Sequence, residues 1–175
     1  IDDGCEERDE VTQAVRAGRA DLGIAHLPAG DDLVARPWLH DSYVLVAPAS
    51  LKLDAPVQWS QLGDLPFIAL ACSGAAAMLE RCRQAGFSAP PGRTLANDTS
   101  ITAMVGRGMG YSILPRLAAF PPPDDVRIHE LPLPARREFA VVGLPATMRS
   151  EAAQVVTRFL RDRQILARTK AFRAG

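Results

Sequence analysis

The run from Asn97 to Pro115 constrains this chain most, because it couples a helix start, three glycines and a proline-ended strand in one short stretch. Asn97, Asp98, Thr99 and Ser100 carry side-chain oxygens that can accept the unpaired N–H groups of a first helical turn, which predicts a helix beginning close to Ser100. Ile101, Met104 and Val105 supply its apolar stripe. Gly106, Gly108 and Gly110 end it within a few residues, since glycine adopts left-handed backbone angles without steric cost. Tyr111 to Leu114 then reads as a strand, closed by Pro115.

A chain of 175 residues with 47% hydrophobic and 23% charged content can bury a substantial core, so disordered and fibrous classes are excluded. Twenty basic residues balance twenty acidic ones, leaving no overall field to draw the chain to nucleic acid or an anionic membrane. No apolar run reaches the roughly 18 residues that a spanning helix needs, and no signal-peptide pattern is present; a cytoplasmic protein without membrane contact is expected. Cys5, Cys72 and Cys82 lack CxxC spacing and are odd in number, which argues for reduced thiols over a disulfide framework or a structural zinc. No cofactor is expected.

In chain order, Glu6 to Ala17 places Val11, Ala14 and Val15 at helical spacing and predicts an amphipathic surface helix. Arg19 to Ala25 reads as a short buried parallel strand of an α/β unit. Leu33 to Leu39 and Tyr43 to Ala47 are two extended runs parted by His40, Asp41 and Ser42. Leu65 to Leu70 is the next strand, followed by a helix from Ala75 to Ala85. Arg116 to Phe120 allows one or two helical turns before Pro121, Pro122 and Pro123 stop it. Val126 to Leu131 and Glu138 to Leu144 alternate as strands. Ser150 caps a last helix whose expected buried face is Ala152, Val155, Val156, Phe159 and Leu160.

Several phrases together resemble the effector-binding domain of LysR-type transcriptional regulators. They are Gly18 to Ile24 (Gly-Arg-Ala-Asp-Leu-Gly-Ile), Val57 to Leu62, Pro66-Phe67-Ile68, Asn97 to Ser100, Met104-Val105 followed at the motif spacing by Gly108 and Gly110, and Gly110 to Pro115. The resemblance implies an α/β, two-lobed, type 2 periplasmic-binding-protein-like fold with an effector cleft between lobes. Residues 1–41 and 115–175 would form the first lobe, and 42–114 the second. It further implies a regulator that binds a small, anionic effector and acts on DNA only through a helix-turn-helix domain that is not in this chain. Ile1 to Gly4 reads as the end of a strand, so the chain is expected to be a fragment lacking that domain, a linker helix and the first strand and helix of the effector domain. The family also implies a homodimer or homotetramer, with Glu6 to Ala17 pairing against Ala75 to Ala85 and covering Val11, Ala14 or Met78. A type 2 periplasmic solute-binding protein, which shares the fold, is the alternative.

The candidate ligand-binding residues follow from helix starts and from the resemblance. Ser73 and Gly74 sit between a strand and a helix, where a hydroxyl and free N–H groups suit an anion, although any serine there could be an ordinary cap. Thr99 and Ser100 form a second such start. Cys5 and His26 fall at cleft positions by resemblance, Cys5 standing where relatives often carry Ser or Thr. Cys72, next to a helix start, is a further ligand-binding candidate, and with His26 or His129 it would be the candidate pair for thiol catalysis. No GxSxG, HExxH, GxGxxG or phosphate-loop motif supports it, so no enzyme is expected. Trp59 reads as a packing anchor rather than a ligand stacker.

Overall fold

The computed structural model describes residues 8–89 and 91–162. Its contacts divide the chain into two compact units: unit 1, residues 1–41 with 137–175, and unit 2, residues 42–136.

Unit 1 begins with α1 (Arg8–Arg16), which turns Thr12 and Val15 inward and ends where Arg16 grips Asp32 through two hydrogen bonds of 2.6 and 2.8 Å. Strand β1 (Leu22–His26) pairs antiparallel with β7 (Arg136–Gly143), residue 24 opposite residue 141. The expected buried parallel strand is thus antiparallel, and Ile24 is 40% exposed. Strand β2 (Val34–Pro48) starts here and continues into unit 2. His40, Asp41 and Ser42 do not break it, because Asp41 is buried and bonded to Arg137 within a continuous extended backbone. Helix α5 (Glu151–Leu160) is capped by the Ser150 hydroxyl, which accepts the Ala153 N–H, and its last turn is tied to β2 by the Trp38 indole N–H on the Leu160 carbonyl, 2.6 Å. Its buried face is Ala153 and Thr157; Val155, Val156 and Phe159, expected inside, are 58%, 46% and 61% exposed.

In unit 2 the second half of β2 lies between β5 (Ser112–Pro115) and β6 (Val126–Glu130), antiparallel to both. Val44, Leu45, Val46 and Ala47 are all buried, as both faces of this central strand are covered. The parallel pair β3 (Phe67–Leu70) and β4 (Pro91–Leu95) carries α2 (Ser73–Gln84) and α3 (Asp98–Gly106). The four-residue α4 (Arg116–Ala119) follows β5 directly. Residues 115–136 pack with unit 2, since β6 is hydrogen-bonded to β2 there; the second division falls at 136/137, not at 114/115.

The glycine-rich turn joins these pieces. Gly110 has φ +153°, and a Cβ there would lie 2.3 Å from the Pro66 carbonyl oxygen. That closeness lets Tyr111 donate its N–H to Pro66 (3.0 Å) and accept from Ile68 (2.9 Å), which locks β3 beside β5. The buried Ser112 hydroxyl adds a bond to the Ile68 carbonyl, 2.7 Å.

Candidate functional site

The geometry that places the candidate residues of unit 2 is the β3–β4 pair. Leu70 and Leu95 are register partners at its carboxyl end, and α2 and α3 each begin at the third residue beyond them. Parallel strands leave on the same side, so the two helix N-termini emerge at one edge. The carboxyl ends of parallel strands are where open α/β sheets bind ligands.

The two starts differ chemically. At α2 the cap is Cys72, not Ser73: its sulfur accepts the Ala75 N–H at 3.4 Å. A thiol is a weak acceptor. Ser73 is the first helical residue, and its side chain lies outside the described residues. Gly74 brings bare backbone to the edge, with the Tyr43 hydroxyl 2.8 Å from where a Cβ would be. Sequence reading passed over Tyr43, because a tyrosine that opens a strand carries no signal of its own. The first turn of α2 has no acidic residue. At α3 the cap is Asn97, whose side-chain oxygen accepts the Ser100 N–H at 2.9 Å. Thr99 and Ser100 are exposed, and the Thr99 hydroxyl bonds to Asp98, 3.4 Å. Asp98 puts a carboxylate on that helix's positive end, so the α2 start is the more favourable anion position.

Unit 1 holds His26 in a different cluster. The Arg137 guanidinium donates to the Asp41 carboxylate at 2.7 and 3.1 Å, lies 4.8 Å from the centre of the Phe139 ring, and approaches the His26 Nε2 at 3.5 Å. His26 itself packs against Phe139, ring centres 4.4 Å apart. Arg137 and Asp41 were not singled out in the sequence; an aspartate between two apolar runs was the available clue. Cys5 lies outside the described residues.

Unit 2 also holds Cys72 and His129. Cys72 is engaged as a cap, while His129 Nε2 is buried without a hydrogen-bond partner among the described residues. Burial, and then the nearby Arg127, holds the His129 pKa below its ordinary value. Among the described residues no cluster of three or more His, Cys, Asp or Glu could hold a metal ion, and no helix is long and apolar enough to cross a membrane. Trp59 is a packing residue: its ring meets Phe87 edge-on at 5.0 Å and its N–H donates to the Ala85 carbonyl, 3.1 Å. It also lines a cavity of about 760 Å³ at the opposite end of the strand pair, with Phe67, Phe87 and Tyr111.

A family model described as the LysR substrate binding domain matches residues 5–164. A curated relative, the probable HTH-type transcriptional regulator LrrA of Synechococcus elongatus, is 33% identical over 151 residues, covering 85% of this chain and 50% of its own length. The chain therefore spans about half the length of that relative. Among solved structures, the C-terminal domain of a probable LysR family transcriptional regulator from Rhodococcus sp. RHA1 matches with TM-score 0.73 and 22% identity, over 89% of this chain and 80% of that one. A sulfate-bound mutant OxyR2 regulatory domain from Vibrio vulnificus matches with TM-score 0.70 and 18% identity, over 89% and 76% of the two chains. These likenesses establish the two-lobed periplasmic-binding-protein-like fold.

Proposed function

The chain belongs to the LysR substrate-binding domain family, an effector-binding regulatory domain, and from that premise we propose that it binds a small anionic effector at the unit 2 edge where α2 and α3 begin. The observation that carries the reading is the shared origin of two helix N-termini at one end of the β3–β4 pair. The α2 start contributes backbone N–H groups and the Ser73 residue; Gly74 lets a ligand approach the backbone closely. Thr99 and Ser100 contribute hydroxyls from α3. The sulfate in the OxyR2 relative supports the anionic class. His26, with Arg137 and Asp41, is a second polar cluster, and Cys5 remains a candidate contact by resemblance alone.

In the parent protein, the effector would shift DNA binding by a helix-turn-helix domain outside this chain, in the cytoplasm and without catalysis. An effector acts only through its unequal affinity for the protein's conformations. The 33% identity with a probable HTH-type regulator favours this reading over a periplasmic solute-binding protein. Self-association, as homodimer or homotetramer, would use the exposed faces of α1 and α2; Met78 is already 3% exposed in the unit 2 core and has no part in it.

Thermal melting of wild type and Ser73→Ala against organic acids, sulfate and neutral analogues tests the site. A specific acid should raise the melting temperature by mass action, and Ser73→Ala should bind it roughly tenfold more weakly, the worth of one hydrogen bond to a charged group. Equal shifts in both proteins would remove Ser73 from the site. No shift with any acid would end the anionic reading.

A further inference from the structure

Unit 1 contains a second collection of polar groups that the effector reading does not use. A cavity of about 780 Å³ is walled by Arg36 from β2, Arg149 from the turn before α5, and Arg158 and Arg161 from α5 and its end. Asp162 is the one carboxylate among its lining residues. None of the four guanidiniums donates a hydrogen bond or forms an ion pair among the described residues. Thr157 also lines the cavity, 8% exposed, with a buried hydroxyl that has no hydrogen-bond partner among the described residues.

We propose that this cavity binds a small phosphate-bearing anion with two or more negative charges. The chain is neutral overall, so four unpaired arginines around one space are a local concentration of charge rather than a reflection of composition. The negative end of α5 accounts for Arg158 and Arg161, but not for Arg36 and Arg149, which arrive from other elements. Planar guanidinium forks match phosphate oxygens in paired hydrogen bonds and attract multiple charges more than a single carboxylate. The volume lies within the roughly 300 to 1,000 Å³ usual for small-molecule sites.

Calorimetric titration of the chain with pyrophosphate, at constant ionic strength and with sulfate and duplex DNA as comparison titrants, tests the proposal. Single-site binding of pyrophosphate, tighter than that of sulfate, is expected. Arg36→Gln should weaken it roughly tenfold, as expected for a lost charged hydrogen bond. Arg149→Gln should also weaken it, while the melting temperature without anion holds, because this arginine is exposed and makes no ion pair among the described residues. Ser73→Ala should leave pyrophosphate binding unchanged, which separates this site from the effector reading. Absence of saturable binding at millimolar pyrophosphate would overturn the proposal, as would wild-type affinity in both Arg36→Gln and Arg149→Gln. Duplex DNA that binds through the same arginines and is not displaced by pyrophosphate would overturn it too.

Discussion

Unit 2 encloses one continuous apolar interior that runs from Tyr43 to Ala135, with Phe67, Phe87 and Tyr111 meeting ring to ring at 5.2 to 6.3 Å. Among the described residues, the buried apolar cluster of unit 1 is smaller: Val15, Ala25, Ala29, Leu33, Ala140 and Val142. Unit 1 adds a buried charged clamp, Arg137 on Asp41, and an exposed one, Arg16 on Asp32. The contrast separates two ways of fixing a backbone. Ring packing is non-directional and gains with every neighbour, whereas a buried ion pair fixes one geometry and fails when either partner goes.

The largest break in that contrast should come from Phe67→Ala, which removes a ring 3% exposed from the aromatic cluster and should lower unfolding stability by about 3 to 5 kcal/mol. Hydrogen exchange should show protection falling in β3, β4 and β5 first; equal loss in β1 and β7 would erase the distinction. Next is Arg137→Met, which leaves the Asp41 side chain, 1% exposed, without its guanidinium and should cost about 3 kcal/mol, read in denaturant melts. The double variant with Asp41→Leu should recover most of it, because no buried charge then remains.

The third test concerns pH. Burial pushes the Cys82 thiol from 9.0 up to about 11 and the Tyr111 phenol from 10.0 to about 12. Between pH 9.0 and about 11 the folded protein keeps the Cys82 proton that the unfolded chain has released. Stability should therefore fall as pH rises through that window, by on the order of 2 kcal/mol for Cys82. Cys82→Ala should flatten this part of the profile; an unchanged slope would assign the alkaline loss elsewhere. The smallest effect should be Phe159→Ser on α5, within about 0.5 kcal/mol, since that ring is 61% exposed. A loss of several kcal/mol would show that the α5 face contributes to the core of unit 1 after all.

That last test also shows where sequence reading stops. Helical periodicity in 151–160 identified an amphipathic helix, and the Ser150 cap was legible from residue type alone. Which face is covered depends on what packs against it, and no local pattern encodes that: Ala153 and Thr157 are inside, Val155 and Phe159 outside. The same limit applies to β1, whose apolar run is compatible with either strand direction; its antiparallel partner lies more than a hundred residues away in sequence. Polar His40-Asp41-Ser42 looked like a break because the Arg137 partner of Asp41 could not be seen. At the candidate site the cap cluster Asn97 to Ser100 was legible because its contacts are local. The Cys72 cap was less so, since a thiol seldom takes that position, and the adjacency of the two helix starts needed the β3–β4 pairing.

The contact between Gly110 and Pro66 sets how much this sequence can vary. Gly108 has φ +74° with nothing within 4 Å of a would-be Cβ, so only the backbone angle restricts it, and asparagine or aspartate can adopt such angles. Gly110 faces a carbonyl oxygen of the main chain that no rotamer change can move aside. Under saturation mutagenesis with selection for folded chains, position 108 should refill with a small alphabet led by asparagine, while position 110 should return a single letter.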